Sequence, residues 1–250
     1  MTHWITANWP APQNIHTATT LRTGGVSQGK FNSLNPADHV NDQLPHVIEN
    51  WQLIKQMLAL PADPVWLRQT HSTQVICADR VTGNPEADAS YTAKSNIVCT
   101  ILTADCLPVL LCDQQGTMIA AIHGGWRGLL NGIIENTLSK MPATGLMAWL
   151  GPAIGVECFE VGDDVRDAFI NKSAQFSCAF KNHAQGKYLA DIYQIARIIL
   201  NNAGVQQIYG GQYCTVTESD RFFSYRRDGQ TGRMATMIWK NSTVGLISVA

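Results

Sequence analysis

The sequence has no apolar run long enough to cross a membrane and no excess of charge of either sign. No stretch approaches the roughly 20 consecutive apolar residues that a membrane-spanning helix needs. Its 18 Lys and Arg residues nearly balance its 19 Asp and Glu residues, which gives a formal net charge of −1. A balanced chain offers no electrostatic basis for binding nucleic acid or an anionic membrane. We therefore expect a protein that binds neither, and whose basic residues act locally.

The sequence also has no recognisable export signal and no paired cysteine framework. The opening residues, MTHWITANWPAPQ, contain neither a basic segment nor a continuous apolar core. The seven cysteines are an odd number and are scattered along the chain, as is typical of reduced thiols. These two observations predict a cytoplasmic protein.

Close-spaced metal-binding pairs such as CxxC, HExxH and HxH are absent, but three separated tracts each contain one candidate ligand. His71 lies in RQTHSTQV, Cys106 in ILTADCLPVLLC and His123 in MIAAIHGGWRGLL, each where an apolar run meets a polar break. Two imidazoles and one thiolate form a known catalytic zinc set, in which a fourth position stays open. The tracts therefore predict a metal-dependent enzyme. Buried hydrogen-bonded histidines and an inert buried cysteine remain the alternatives, because the spacing alone is weak.

The Cys106 tract has an unusual composition. Asp105 and Cys106 interrupt two apolar stretches, and Pro108 cannot donate a hydrogen bond to a strand ladder. We expect a bulge or strand break that turns Cys106 toward a site.

Several arginines could hold an anionic group of a substrate. Arg127 follows a glycine pair at a predicted helix start, and Arg22 precedes a glycine turn in LRTGGVS. Arg226 and Arg227 are adjacent, so on a strand only one of them would face the site, while the other would pair with Asp228 or another carboxylate. A guanidinium binds phosphate or carboxylate through two parallel hydrogen bonds. Surface ion pairs are the alternative for each of these arginines.

The periodicity of apolar residues predicts an α+β protein in which strands cluster in sequence. Helices are predicted over 45–60, 126–140, 162–170 and 190–204, and strands over 17–23, 65–70, 74–79, 97–102, 108–112, 118–123, 145–151, 206–210 and 233–239.

Ten stretches, in this order, resemble the YfiH family, also called the laccase-domain or polyphenol-oxidase-like family. They are TLRTGGVS, FNSLNPADHV, VWLRQTHSTQV, EADASYT, TADCLPVLLC, AAIHGGWRGLL, AWLGPAIG, CFEVGDDV, YLADIYQIA and FFSYRRDGQTGRMATMIW. The resemblance covers nearly the whole chain. Thr70, Ser72 and Gly124 depart from the family pattern, which usually has Val, Gly and Ala there. These departures leave the ligand types intact but put the fine shape of the site in question.

The resemblance implies a layered α/β/β/α sandwich with mixed sheets, forming one catalytic domain over residues 1–250. It implies Zn²⁺, with Cu²⁺ as an alternative, bound by His71, Cys106 and His123. It also implies phosphorolysis of adenosine, inosine, guanosine or methylthioadenosine, and deamination of adenosine. In that scheme an arginine binds phosphate, and Arg22 is the arginine that the resemblance favours most. Asp105 shuttles protons. The expected partners are therefore small molecules, a purine nucleoside and phosphate.

Three other enzymatic functions and one non-enzymatic function remain open. Some members of the family are peptidoglycan editing factors, which remove L-Ser from a UDP-muramoyl precursor. Cys106 could instead act as a nucleophile without metal. Copper oxidation of phenols needs further imidazoles for a multi-copper cluster, and the other histidines, His39 among them, are expected at the surface or in loops. A structural metal site would need a fourth protein ligand.

Overall fold

In the computed structural model, which describes residues 2–242, the chain forms fourteen strands and six helices. The strands are β1 Trp4–Ile5, β2 Ile15–Thr20, β3 Pro64–Val65, β4 Val75–Cys77, β5 Ala89–Thr92, β6 Val98–Thr103, β7 Leu107–Asp113, β8 Ile119–Gly124, β9 Leu146–Leu150, β10 Glu160–Gly162, β11 Phe180–Ala184, β12 Lys187–Ala190, β13 Gln207–Gly210 and β14 Met234–Lys240. The helices are α1 Leu44–Met57, α2 Trp126–Asn131, α3 Ile133–Ser139, α4 Asp163–Lys172, α5 Ile192–Asn202 and α6 Tyr225–Asp228. Position 1 and positions 243–250, which the expected domain 1–250 includes, lie outside the described residues.

Two large mixed sheets and one small sheet organise these strands. The five-stranded sheet has the order β1-β2-β14-β6-β3, and the six-stranded sheet has the order β13-β9-β7-β8-β5-β4. In each large sheet antiparallel pairs form the centre, and parallel pairs occur at the edges, as between β3 and β6 or between β9 and β13. The small sheet, β10-β12-β11, is antiparallel.

Successive side chains along a strand point to opposite faces of the six-stranded sheet, so each strand contributes to the packing on both sides. Along β7, Leu110 and Cys112 belong to an apolar cluster that also contains Ile101 of β6 and Ile238 of β14 in the other large sheet. Val109 and Leu111 point to the opposite face, where they pack in a cluster with residues of α2, α3, α4 and α5. Burial on both faces explains why β7 is apolar almost throughout.

Helix α1 covers the outer face of the five-stranded sheet. Its Ile54 packs in a cluster with Ala18 of β2, Leu102 of β6 and Met237 of β14. The order of layers is therefore helix, sheet, sheet, helices, so the mixed-sheet α/β/β/α sandwich expected from the resemblance is confirmed.

Two predicted elements differ from those observed. The helix predicted over 126–140 is divided at Gly132, which has a φ of 100° and separates α2 from α3. The strand predicted over 65–70 ends at Val65. Beyond it, the side chain of Gln69 takes the place of a neighbouring strand, since its amide donates to Leu102 O (2.8 Å) and accepts from Leu102 N (2.7 Å).

The longest helix, α1, has 14 residues. None of the helices between residues 2 and 242 combines the length and the apolar character that crossing a membrane requires.

Leu110→Ala should strongly destabilise the protein, because Leu110 is fully buried between the two large sheets. We expect the free energy of unfolding to fall by about 2–5 kcal/mol, measured by urea denaturation. Leu44→Ala removes the same atoms from a side chain that is 55% exposed, and should change the free energy by less than about 0.5 kcal/mol. Equal effects of the two substitutions would contradict the assigned core.

Candidate functional site

His71, Cys106 and His123 converge in space. Their ligand atoms all lie within 4.8 Å of one another, and Cys106 Sγ is 3.6 Å from His71 Nε2. The two imidazole rings meet edge to face, with centroids 4.7 Å apart. The structure thus brings together the three residues that the sequence singled out.

Each of the three side chains lies at the end of a strand or in a break between strands. His123 is the penultimate residue of β8 and pairs in register with Pro108 of β7. Cys106 precedes β7, in a break where Asp105 adopts a φ of 89°. The predicted break therefore exists, but it lies before Pro108, which is itself part of the ladder. His71 sits in the loop between β3 and β4 with a φ of 60°.

Asp88 joins two of these positions, and the sequence analysis did not identify it. Its side chain is fully buried, immediately before β5. The carboxylate accepts hydrogen bonds from the backbone N–H groups of Thr70 (3.2 Å), His71 (3.0 Å) and Ser72 (2.7 Å), and from the Ser72 hydroxyl (2.7 Å). It also accepts from His123 Nδ1 at 2.7 Å. One carboxylate therefore fixes the left-handed His71 loop and the orientation of the His123 ring.

The residues that depart from the family pattern fit this network. Ser72, where Gly is usual, adds the hydroxyl donor to Asp88. At Gly124, where Ala is usual, a Cβ would lie 2.8 Å from the carbonyl oxygen of Leu107, so this chain holds β7 and β8 too close for a side chain there.

Charges within the site stabilise one another. Burial acts to raise the pKa of Asp88, but hydrogen bonds from His123 and Ser72 overcome it and lower the pKa to about 2. Burial also acts to raise the pKa of the Cys106 thiol, but the neighbouring His123 and His71 overcome it and lower that pKa below its ordinary value. Burial acts to lower the pKa of His123, and Cys106 and Asp88 raise it. The sulfur therefore has thiolate character near neutral pH, which is the form that binds metal.

The donor set and the space around it fit a zinc ion. Zinc bonds of 2.0–2.3 Å in a tetrahedron separate neighbouring N and S ligand atoms by about 3.3–3.6 Å, close to the 3.6 Å observed between His71 and Cys106. Gly125 leaves this space open, because a Cβ there would lie 2.5 Å from His71 Cδ2 and 3.4 Å from Cys106 Sγ. The bond from His123 Nδ1 to Asp88 leaves Nε2 as the free ligand atom, an arrangement common among metal-binding histidines.

A cavity of about 400 Å³ opens beside the three ligands. This volume lies within the range of about 300–1,000 Å³ that is usual for small-molecule sites. The lining includes the aromatic residues Trp126, Phe159 and Tyr225, and the aliphatic residues Ile154 and Ile192. Leu102 and Ala104 add to the apolar part of the lining. The other lining residues are His39, Gln69, His71, Thr103, Asp105, Cys106, His123, Arg226 and Arg233.

The four arginines named from the sequence occupy different places. Arg226 lines the cavity, whereas Arg227 pairs with Asp228 and donates to the carbonyl of Thr215. Both belong to α6, a single helical turn and not the strand on which the sequence argument placed them. Arg22 and Arg127 are not part of the cavity lining. Arg22 donates to the carbonyls of Asn32 and Ser219, and the exposed Arg127 stacks on Trp126, 4.3 Å from the ring centroid.

Asp105 lines the cavity, and both of its carboxylate oxygens have protein partners. One accepts from the Thr215 hydroxyl (2.5 Å), and the other accepts from the backbone N–H of Arg226 (2.6 Å). Asp105 thereby ties the loop that carries Cys106 to the start of α6.

Three residues of the site were not predicted from the sequence: Asp88, Arg233 and Thr103. His39, which was expected at the surface or in a loop, also lines the cavity. A signal for Asp88 was present, since EADASYT places an acid directly before a strand. Arg233 lies in the matching stretch GRMATMIW, but only its fold position shows that it reaches the cavity.

Asp88→Asn should weaken zinc binding by about 10–100-fold, because it removes the carboxylate that orients His123 and the His71 loop. Competition against a chromogenic chelator measures the affinity. Asp113→Asn is the matched control: Asp113 is equally buried and accepts bonds from Thr117 and Met118 in the turn between β7 and β8. The control should lose stability but keep its zinc affinity, and an equal loss of affinity in both variants would refute the role of Asp88.

Gly125→Ala should reduce zinc binding to less than about a tenth of the wild-type affinity, since the new methyl group occupies the space between His71 and Cys106. Gly204→Ala, where a Cβ would meet nothing within 4 Å but φ is 87°, should cost some stability and bind zinc normally. Zinc content after gel filtration, measured by atomic absorption, tests both variants. Full occupancy in Gly125→Ala would show that the ligands do not close around that space.

Comparison with known proteins agrees with this geometry. The family model described as multi-copper polyphenol oxidoreductase laccase matches residues 16–241. A protein of Shigella flexneri named purine nucleoside phosphorylase YfiH is 48% identical over 245 residues, covering 96% of this chain and 99% of the relative. A purine nucleoside phosphorylase of Haemophilus influenzae is 48% identical over 239 residues, covering 94% of this chain and 98% of the relative. A crystal structure of a Neisseria meningitidis protein matches with a TM-score of 0.93 and 48% identity, covering 96% of this chain and all of that one. The chain therefore belongs to the laccase-domain family of YfiH-like proteins.

Proposed function

We propose that this protein is a zinc-dependent purine nucleoside enzyme. It would catalyse phosphorolysis of adenosine, inosine, guanosine and methylthioadenosine, and hydrolytic deamination of adenosine, as one cytoplasmic catalytic domain over residues 1–250. The observation that carries the proposal is the convergence of His71, Cys106 and His123 beside an aromatic-lined cavity of about 400 Å³. The names of the Shigella and Haemophilus relatives support the choice of substrate class.

The cavity suits a nucleoside because it combines aromatic faces with a polar end. Trp126, Phe159 and Tyr225 present rings against which a planar purine can stack. Tyr225 is 61% exposed, so it lies where a ligand would enter and leave. The metal ligands and Asp105 provide the polar end, beside which a ribose or the substituent at C6 would lie.

Metal chemistry would be supplied at the three converging side chains. A zinc ion held there would act as a Lewis acid and lower the pKa of a water in its open position toward about 7. The chain's own contribution is to hold Cys106 as a thiolate through its histidine neighbours and to fix the His123 ring through Asp88. The buried Asp88 carboxylate also keeps the proton on Nδ1 of His123, away from the metal side.

Asp105 is the proposed proton carrier for deamination. One of its oxygens accepts from the Thr215 hydroxyl and the other from the N–H of Arg226, and each keeps a second lone pair that could take up a proton. The Thr215 hydroxyl can rotate, whereas the backbone amide cannot. We therefore assign proton uptake to the oxygen that faces Thr215.

Copper oxidation of phenols has less support in the geometry. The cluster contains three ligands, and the residues that line the cavity do not include a methionine, the usual distant ligand of a blue copper centre. Strong absorption near 600 nm in copper-loaded protein, with oxidation of a phenol, would favour it.

The decisive assay compares wild type with Cys106→Ala at measured zinc content. Adenosine is supplied with and without phosphate, UDP-MurNAc-L-Ser is supplied separately, and products are read by mass spectrometry. We expect adenine with ribose 1-phosphate, or inosine with ammonia, and a loss of at least about 100-fold in the variant. Cys178→Ala removes an exposed thiol and should keep full activity.

The same assay separates the alternatives. Release of serine alone would make the protein a peptidoglycan-precursor editing amidase and overturn the purine proposal. Activity that survives complete removal of metal by a chelator, yet disappears in Cys106→Ala, would indicate a cysteine nucleophile in place of zinc.

A further inference from the structure

We propose that Arg233 and Thr103 form the subsite that holds phosphate beside the metal ligands. The inference rests on the proposed function, because it names the residues that bind the second substrate of phosphorolysis. It assigns this role to a pair that the sequence analysis did not consider, and it takes the role away from Arg22 and Arg127.

Arg233 has hydrogen-bond donors to spare. Its Nη1 donates to the carbonyls of Thr231 (2.9 Å) and Gly232 (3.0 Å), which holds the guanidinium in place. Its Nε and Nη2 donate to no acceptor within residues 2–242, and no carboxylate there forms an ion pair with it. A half-buried guanidinium with two free donors is a site for a bidentate oxyanion such as phosphate.

Arg226, the other arginine of the cavity lining, is already engaged. Its Nη1 donates to the carbonyls of Cys158 and Glu160, and its Nη2 donates to Glu160, each at 3.2 Å. Its guanidinium also lies over the Phe159 ring, 5.7 Å from the centroid. Three hydrogen bonds to protein carbonyls engage both terminal nitrogens of Arg226, whereas the two bonds of Arg233 engage Nη1 alone.

Thr103 supplies a second, independent indication of a ligand. It lines the same cavity, is 2% exposed, and its hydroxyl has no hydrogen-bond partner within residues 2–242. Thr103 and Arg233 both line this cavity, Thr103 at the end of β6 and Arg233 directly before β14. An unsatisfied buried hydroxyl costs free energy unless a ligand or water bonds to it. Two groups of one cavity lining thus offer donors that the protein itself leaves unused.

The location beside Cys106 suits the chemistry of phosphorolysis. An oxygen of hydrogen phosphate bonds to C1′ of the ribose while the bond from C1′ to N9 of the purine breaks. The electron pair of that bond passes to the base, and the proton that the phosphate carried ends on the base. Nucleoside and phosphate thereby give free base and ribose 1-phosphate, without any oxidant or reductant.

Steady-state kinetics on zinc-loaded protein tests the subsite. Arg233→Met should raise the KM for inorganic phosphate by roughly tenfold to a hundredfold while the KM for inosine changes by less than about twofold. Thr103→Val should raise the KM for phosphate by a smaller factor, and Arg233→Lys should recover part of the loss. Arg80→Met, at an exposed arginine outside the cavity, is the control and should match wild type.

Equal changes in both KM values would overturn the assignment, as would a phosphate KM that responds to Arg226→Met or Arg22→Met but not to Arg233→Met. Zinc content by atomic absorption and the urea midpoint of unfolding show whether Arg233→Met is folded and holds zinc.

Direct binding distinguishes failure of this inference from failure of the proposed function. If wild type does not phosphorolyse any nucleoside, the proposed function is wrong, and equilibrium dialysis with radiolabelled inorganic phosphate tests the subsite alone. Binding to wild type that is lost in Arg233→Met supports it. Absence of binding to wild type, or equal binding to both proteins, overturns it.

Discussion

The candidate site depends on one buried carboxylate. Asp88 accepts hydrogen bonds from three consecutive backbone N–H groups of the His71 loop and from Nδ1–H of His123, so it joins this loop to a strand of the six-stranded sheet. Without these bonds neither the left-handed backbone of His71 nor the ring orientation of His123 would be determined. Because the partners lower the pKa of Asp88, the carboxylate stays ionised although it is buried. The charge that holds the loop is thus the same charge that makes His123 a good ligand.

The layered fold explains why three distant tracts can share one site. β7 and β8 are neighbours, and His123 faces Pro108 across their ladder. This pairing brings the break before β7, with Cys106, next to the end of β8. β6 and β14 of the other large sheet end close by, which places Thr103 and Arg233 on the same cavity. The cavity therefore lies where strands of both large sheets end, and residues of both sheets line it. The candidate metal ligands, by contrast, lie at strand ends and in loops of the six-stranded sheet.

Polar residues that interrupt otherwise apolar strands drew attention to His71, Cys106 and His123 in the sequence, and the structure brings these three side chains together. The layers followed from the family resemblance, and most strands from periodicity. Other features depend on what a side chain meets after folding. Asp88 lies between two alanines, two residues after Glu86, and nothing in these neighbours indicates that five donors will surround it. Arg22 and Arg233 each donate to two backbone carbonyls, and only the folded chain shows that Arg233 lines the cavity and Arg22 does not. The helical turn at Tyr225–Asp228 is too short for any periodic signal.

His71, Cys106 and His123 differ in their exposure to solvent. His123 is 4% exposed, Cys106 is half-buried, and His71 is exposed on its loop. A metal ion that bound here from solvent would meet His71 first and could reach the sulfur and the buried imidazole without any opening of the sheets. Entry and release would then leave the packed sandwich intact and use the side on which His71 is exposed.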